Sequence, residues 1–249
     1  MLKKNAFTLI ELLVVISIIA LLMTILMPTL SRAKELALAV SCQANLKQWT
    51  IAYSGYVNDN DGFFSNGGFL DKTYFITEKL WLCPAATTPF DQGGRSPFAS
   101  YKTEATSWYT SYRPNGWCSK RPVAATQRNE LMWKSPAVKR ASEIPMFLDG
   151  SNGHVPWHSD NPPEYDGAIY GYAGVNRPNA DEIRGFCLNR HNEHINGAFC
   201  DFSVRKIGLK ELWELPWHRD WYMYNGAPDY NPPVWPPWMK KMKDYARQR

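Results

Sequence analysis

The feature that most constrains this chain is an apolar segment near its N-terminus, which runs from Phe7 to Leu30. A helix of that length spans roughly 36 Å at about 1.5 Å per residue, more than a bilayer hydrocarbon core of about 30 Å. Lys3 and Lys4 precede the segment and favour a cytoplasmic N-terminus. We therefore predict one membrane-spanning helix, with the residues after Leu30 on the opposite side of the membrane.

One charged side chain, Glu11, interrupts this apolar segment. A cleaved secretory signal peptide would have a shorter apolar core followed directly by a small-residue A-x-A site, which this sequence lacks. A simple membrane anchor leaves Glu11 unexplained, because a carboxylate near the bilayer centre costs about 2.5–3.5 kcal/mol on insertion scales. We therefore expect Glu11 to have a partner.

The opening residues MLKKNA-FTLIE resemble the leader of type IV pilins and type II secretion pseudopilins. In that family a prepilin peptidase cleaves before the Phe, so the resemblance implies cleavage between Ala6 and Phe7 and methylation of the new Phe7 amino group. The residue before the cut is usually Gly in the family, whereas this chain has Ala6. The resemblance also implies that Glu11 pairs with the N-terminal amine of a neighbouring subunit during assembly, which offsets the burial of both charges. Pro28 stands where many pilins carry a helix-kinking proline.

The sequence predicts that the helix continues beyond the membrane to about Tyr53. A stripe of apolar residues at three-to-four-residue intervals, with Lys47 as its one polar break, indicates an amphipathic second half that packs on a sheet. Gly55 and the turn-forming stretch Asn58–Gly62 are predicted to end the helix. The stripe consists of Leu36, Val40, Ala44 and Ile51.

Four segments follow from this pattern: a leader (residues 1–6), a transmembrane helix (7–30), its amphipathic continuation (31–53) and an exported globular domain (54–249). The domain is rich in aromatic residues, with 18 Pro and 16 Gly in the whole chain, which favours short strands and long ordered loops. Trp108–Tyr112 and Ile144–Asp149 are predicted strands. The predicted fold class is α+β, with a long pilin-type helix packed on a small antiparallel sheet with aromatic, proline-rich loops.

The chain has five cysteines, so at least one thiol is unpaired or pairs with another chain. An exported domain permits disulfides. We hypothesise one disulfide between Cys42 on the helix and Cys83 beyond it, and a second between Cys187 and Cys200 across adjacent strands. Cys118 remains without an assigned partner.

A second resemblance lies in the C-terminal third of the chain. Arg190–Asp201 is similar to the H-x9-DG motif of prepilin-like proteins, with His191 and Asp201 at the motif's His and Asp and Phe202 in place of its Gly. This resemblance implies no biochemical activity. We interpret the stretch as a hairpin, with strands at 187–190 and 198–205 and a turn at 192–196, in which His191 and Asp201 form a hydrogen bond.

Several residues in this region carry side chains suited to catalysis or metal binding, but they lack the required spacing. The sequence has no H-E-x-x-H or G-x-S-x-G motif. We therefore predict no enzyme activity, no catalytic residue, no cofactor and no metal, and a structural His–Asp contact instead. The net charge of +5 forms no basic stripe, so no specific nucleic-acid partner is expected. The group considered was His191, His194, Asp201 and His218.

The first resemblance implies a structural subunit that a prepilin peptidase processes. It would assemble with other pilin or pseudopilin subunits through its N-terminal helix, using secretion or pilus assembly machinery. The filament would be a type II secretion pseudopilus or a type IV pilus-like fibre. The protein would span the inner membrane once, with a cytoplasmic N-terminus and a domain that is periplasmic, or extracellular in a filament. The alternative is an anchored carbohydrate-binding or enzymatic domain that uses the leader only for export.

Overall fold

The computed structural model describes residues 9–67, 74, 77–95, 97–102, 109–122, 128–151, 162–164, 166, 183–221 and 233–243. The chain divides into two compact units, Met1–Ala37 and Leu38–Arg249. The leader and the predicted cleavage site, Ala6 and Phe7, lie outside the described residues.

The longest element is helix α1, which extends over Leu9–Asp59 and contains Pro28. Its part in the first unit, residues 9–37, is exposed throughout. In the second unit one face is buried, and it is not the predicted one: Val40 and Ile51 of the predicted stripe are more than half exposed. Leu36, the stripe residue within the first unit, is also more than half exposed. Apolar residues occur on all sides of the helix, so their spacing along the sequence does not single out one face. The buried face consists of Ala39, Cys42, Leu46, Trp49, Thr50, Tyr53 and Val57.

The C-terminal end of α1 lies six residues beyond the predicted end at Tyr53. Gly55 is helical, which costs about 1 kcal/mol relative to Ala but allows Val57 to be buried. Gly62, with a φ of 80°, then donates from its backbone N–H to the Val57 carbonyl at 2.9 Å. This left-handed turn closes the helix as the Asn- and Asp-rich sequence predicted.

The main sheet of the second unit is antiparallel and has four strands, Tyr112–Pro114 (β4), Pro145–Asp149 (β5), His194–Phe199 (β6) and Val204–Gly208 (β7). Their order in the sheet is β4-β5-β6-β7. A smaller sheet contains Thr88–Pro89 (β1), Ala99–Lys102 (β2) and Tyr109–Thr110 (β3), of which β1 and β2 are parallel. A four-residue helix, Pro237–Lys240 (α2), lies near the C-terminus. The predicted α+β class is confirmed.

The two faces of the main sheet pack against different parts of the chain. On one face, Trp49 of α1 stacks on Phe147 with ring centroids 4.3 Å apart. On the other face, Leu148 packs in a cluster that includes Trp213, Trp217 and other C-terminal residues. Strand β5 is therefore buried at every position. The many aromatic residues fill these two cores.

The predicted hairpin is wrong in register. Residues 187–190 form no strand, and the observed hairpin pairs β6 with β7 through a turn at residues 200–203. Asn192 and Glu193, with φ of 57° and 67°, direct the chain into β6, and Phe202, with φ of 64°, occupies the real turn. Because these positive φ angles fall on residues other than Gly, they are hard to predict from the residue types alone.

Candidate functional site

The first candidate site is the apolar part of α1. This helix is long and apolar enough to cross a membrane, judged by length and composition. Its hydroxyl side chains bond to carbonyls of their own helix; Thr29 Oγ1, for example, donates to Leu26 O at 2.8 Å. Glu11 is exposed and is the only ionisable residue between Leu9 and Leu30. Pro28 lies within the helix, where a proline cannot donate a backbone hydrogen bond.

The second candidate site is a polar cluster buried in the second unit. Its centre is Asp149, the last residue of β5, whose Oδ1 accepts a hydrogen bond from Arg190 Nη1 at 2.9 Å. Its Oδ2 lies 3.2 Å from His191 Nε2 and accepts from the backbone N–H of Asn196 at 2.9 Å. The side chains of Asp149 and Arg190 are fully buried. We call the set Cys42, Cys83, Asp149, Arg190 and His191 the buried cluster.

Two thiols complete the buried cluster. Cys42 Sγ, on α1, donates to Asp149 Oδ2 at 3.4 Å, and Cys83 Sγ lies 3.3 Å from His191 Nε2. Tyr112 donates its hydroxyl to Cys42 Sγ at 3.3 Å. The donor atoms of Cys42, Cys83, Asp149 and His191 all lie within 4.8 Å of one another.

Arg190 connects the buried cluster to surrounding loops. Its Nε donates to Pro97 O at 2.8 Å, and its Nη1 donates to Ser111 O at 2.8 Å. Because a guanidinium presents several donors in a fixed plane, one side chain satisfies two loop carbonyls and a carboxylate together. The ion pair with Asp149 therefore also fixes the backbone around it.

The electrostatics of the buried cluster favour charged Asp149 and His191. Burial alone would raise the pKa of Asp149, but the hydrogen bond from His191, the charge of Arg190 and the Asn196 N–H lower this pKa to about 2. Burial alone would lower the pKa of His191, but Asp149 and Cys83 raise it to about 9. The site can therefore hold a carboxylate and an imidazolium away from water.

The pKa values of the two thiols, Cys42 and Cys83, shift in opposite directions. Burial, followed by the neighbouring Cys83 and Asp149, raises the pKa of Cys42 well above its ordinary value. Burial also acts to raise the pKa of Cys83, but its hydrogen bonds with Cys42 and His191 and the charge of Arg190 lower this pKa to about 7. Cys83 is therefore the thiol of the pair that more readily becomes a thiolate.

The structure separates the two motif residues that the sequence placed in contact. Asp201 is exposed in the β6–β7 turn, where its Oδ1 accepts from the Ser203 N–H at 2.9 Å. The acidic partner of His191 is instead Asp149. The predicted His191–Asp201 contact fails because the hairpin register differs from the predicted one.

The two other histidines considered for a metal or acid–base site have separate surroundings. His194 is close to the Asn192 carbonyl, with Nδ1 at 2.8 Å. His218 is buried between Trp117 and Trp221, with ring centroids 5.0 Å and 5.1 Å away. The structure therefore does not bring these histidines and Asp201 together into the group that was considered.

All five cysteines are buried and carry free thiols. Cys42 and Cys83 are close together, so their disulfide remains a hypothesis that the geometry permits. The Cys187–Cys200 pairing is wrong for this structure: Cys200 Sγ lies 3.9 Å from Cys118 Sγ, and Cys187 Sγ lies 3.9 Å from Met239 Sδ. Residues 187–190 form no strand beside Cys200, which removes the basis of that pairing.

Sequence reasoning assigned no role to Asp149 or Arg190. A signal was present for each: Asp149 ends an apolar predicted strand directly before Gly150, and Arg190 precedes the motif's His191. An ionisable residue at the end of a buried strand needs a partner. Neither signal identifies the partner, because Asp149 and Arg190 are 41 positions apart in the chain.

Comparison with known families gives one match. Residues 1–27 match the family described as the prokaryotic N-terminal methylation motif. The comparisons with curated proteins and with solved structures gave no significant match. With the apolar helix, the matched motif supports a pilin-like protein anchored in the membrane. It implies processing by a prepilin peptidase and assembly with other pilin subunits.

Proposed function

We propose that this protein is a structural pilin-like or pseudopilin subunit that assembles into a type II secretion pseudopilus or a type IV pilus-like filament. The observation that carries the proposal is Glu11, the single ionisable residue between Leu9 and Leu30 in the exposed apolar part of α1, which lies within the match to the N-terminal methylation motif. The filament forms through these helices, and the domain of residues 54–249 projects from it.

The energetics of Glu11 support assembly rather than simple anchoring. A carboxylate in this helix costs up to about 2.5–3.5 kcal/mol in a bilayer, and an opposite charge from a neighbouring chain offsets that cost. Cleavage between Ala6 and Phe7 creates such a charge, the new N-terminal amine. The large side chains from Leu9 to Leu30, which are 47–80% exposed in the single chain, become buried against other helices in the filament.

The buried cluster supports a structural role for the globular domain. Asp149, Arg190 and His191 are each at most 8% exposed, so these groups present no surface to a macromolecular substrate. Their contacts tie α1, β5 and the start of β6 together. The part of the H-x9-DG-like stretch that contains His191 then serves to hold the domain together rather than to catalyse a reaction.

A second candidate function is an exported binding domain that uses the leader only for export. A surface concavity of about 410 Å³ supports it, with Trp133, Arg140 and Arg219 among its lining residues. An aromatic ring beside guanidinium groups suits a carbohydrate, particularly an acidic one. In this case the protein would be cleaved and retained in the membrane without forming filaments.

The test compares the wild-type chain with Glu11→Gln in a host that has a prepilin peptidase and an assembly machine. We expect both proteins to be cleaved before Phe7 and N-methylated, as measured by mass spectrometry of the N-terminal peptide. Only the wild type should appear in sheared filaments by electron microscopy and immunoblotting, because glutamine cannot supply the charge that pairs with the amine.

The matched control is Glu35→Gln, which changes an exposed carboxylate of the same helix beyond the apolar segment. It should assemble as the wild type does. Filaments formed equally well by Glu11→Gln would contradict the proposed role of Glu11. A wild-type protein that is cleaved and methylated but never leaves the membrane would favour the exported-domain alternative.

A further inference from the structure

We propose that Cys42, Cys83, Asp149 and His191 form a metal site that binds one zinc-class transition-metal ion. These residues provide two sulfurs, one imidazole nitrogen and one carboxylate oxygen, and all four donor atoms lie within 4.8 Å of one another. The site is independent of filament formation and concerns the globular unit alone.

The distances between the donor atoms match a tetrahedral coordination shell. With bonds of about 2.3 Å to sulfur and about 2.0–2.1 Å to nitrogen and oxygen, neighbouring donors in a tetrahedral zinc site are roughly 3.3–3.8 Å apart, the longest separation being that between the two sulfurs. The observed separations are 3.2 Å for His191 Nε2 to Asp149 Oδ2, 3.3 Å for Cys83 Sγ to His191 Nε2 and 3.4 Å for Cys42 Sγ to Asp149 Oδ2. These three of the six separations lie within a few tenths of an ångström of that range, and all six are within 4.8 Å.

The surroundings of the four residues provide the interactions that a buried metal site needs. Metal binding displaces the protons of both thiols and the second ring proton of His191, which then ligates as a neutral imidazole. Two thiolates and a carboxylate around a divalent ion leave a single negative charge, which Arg190 neutralises through its 2.9 Å contact with Asp149 Oδ1. The Asn196 N–H holds Oδ2 at 2.9 Å. Hydrogen bonds of this kind orient ligating carboxylates in known metal sites.

The ligands come from four separate segments, which gives the ion a structural role. Cys42 lies on α1, Cys83 follows a 3-10 helix at Glu78–Trp81, Asp149 ends β5, and His191 precedes β6. An ion bound to all four would cross-link the helix, the loop and the sheet. Four protein ligands leave no open position for a substrate, as in structural rather than catalytic zinc sites.

The ligand chemistry selects the class of ion. Thiolate and imidazole donors favour zinc and similar transition metals over magnesium or calcium, which prefer oxygen donors. A disulfide between Cys42 and Cys83 would use only two of the four converging groups. A metal ion would use all four groups, including Asp149 and His191, at once.

The test uses the full chain purified in detergent, stripped with a chelator and then dialysed against zinc. We expect about one zinc per chain by elemental mass spectrometry, as four-ligand sites bind one ion. Titration of the stripped protein with cobalt(II) should give the thiolate-to-cobalt charge-transfer band and the visible bands of tetrahedral cobalt. Both measurements use the wild-type protein and do not depend on whether variants fold.

Variants then assign the ligands. Cys42→Ser and Cys83→Ser should each weaken zinc affinity at least about tenfold and remove the charge-transfer intensity of one thiolate. Cys187→Ser is the matched control, because Cys187 is equally buried but contacts Met239 rather than the four ligands. It should keep both the stoichiometry and the cobalt spectrum.

Two results would overturn the proposal. One is zinc binding that is unchanged in Cys42→Ser and Cys83→Ser, which would show an adventitious ion only. The other is a peptide map of unreduced protein, isolated from its exported location, in which Cys42 and Cys83 are joined by a disulfide. Neither result would bear on filament assembly, which the Glu11→Gln comparison tests separately.

Discussion

Glu11 and Asp149 are two carboxylates in apolar surroundings, and their environments differ. Glu11 is exposed on a helix whose neighbouring side chains are also exposed in the single chain. Asp149 is fully buried, and Arg190, His191 and the Asn196 N–H of the same chain all contact it. The comparison contrasts a buried charge that is compensated within the chain and stabilises the fold with an exposed charge in the apolar segment, for which we propose a partner in a neighbouring chain.

The same distinction holds for apolar side chains in the two units. In Met1–Ala37 the described large apolar residues are exposed, whereas in Leu38–Arg249 most of them form two buried clusters on opposite faces of the main sheet. A membrane or a neighbouring subunit must cover the first set. We therefore expect mutations in the first unit to change filament assembly and mutations in the second unit to change the free energy of unfolding.

The largest effect is expected for Asp149→Asn. The substitution leaves the buried Arg190 charge without its counter-ion, and breaking a buried ion pair in this way costs about 3–5 kcal/mol of unfolding free energy. Chemical denaturation of the full chain in detergent, with a chelator present, measures this loss without any contribution from metal.

Asp201→Asn is the control for this prediction, because Asp201 is exposed and asparagine keeps an oxygen that accepts from the Ser203 N–H. Its unfolding free energy should change by no more than about 0.5 kcal/mol. If Asp201→Asn destabilised the protein as much as Asp149→Asn, the motif's Asp would be as important to the fold as the β5 carboxylate.

The next effect concerns the face of α1 that packs on the sheet. Leu46→Ala removes a fully buried side chain and should lower the unfolding free energy of the domain by about 2–5 kcal/mol. Leu36→Ala, on the stripe predicted from sequence, removes a side chain that is 59% exposed. This substitution should change the unfolding free energy by no more than about 0.5 kcal/mol. Equal losses would mean that the sequence stripe is also a packing face.

A smaller loss is expected for Arg190→Lys. The positive charge beside Asp149 remains, but a lysine cannot reproduce the contacts to Pro97 O, Ser111 O and the carboxylate together. Losing hydrogen bonds from a charged group costs about 1.5–3 kcal/mol, which denaturation measures. Arg140→Lys, at an exposed pair with Glu143, should have little effect.

The sequence predicted the parts of this molecule that depend on local pattern. The long helix, the apolar span, the strand at Ile144–Asp149 and the α+β class follow from composition and periodicity along the chain. The packing face of α1 was missed because apolar residues occur all around that helix. The register of β6 was missed because Asn192, Glu193 and Phe202 adopt left-handed φ angles without Gly.

The buried cluster was inaccessible from sequence for a different reason. Cys42 and Asp149 are 107 positions apart, and their contact depends on how α1 is placed on the sheet. The resemblance to the H-x9-DG motif indicated His191 but suggested the wrong acidic partner. The local sequence pattern thus indicated His191, while the tertiary fold determined which side chains contact it.

The smallest effect is a pH dependence at Tyr53, which is 1% exposed and whose hydroxyl lies 3.3 Å from Ser65 Oγ. Burial raises the pKa of Tyr53 above its ordinary value, and the Ser65 hydrogen bond only partly opposes this. A folded-state pKa above the unfolded one means that the phenol's contribution to stability is complete below about pH 10 and is lost as the pH rises. Between about pH 8 and about pH 11, the wild type should therefore lose about 1.4 kcal/mol more unfolding free energy than Tyr53→Phe.

Ser65→Ala is the control, because it removes the same hydrogen bond but keeps the phenol. It should therefore retain the loss of unfolding free energy at high pH. If it behaved like Tyr53→Phe, the hydrogen bond rather than the titration of the phenol would be responsible.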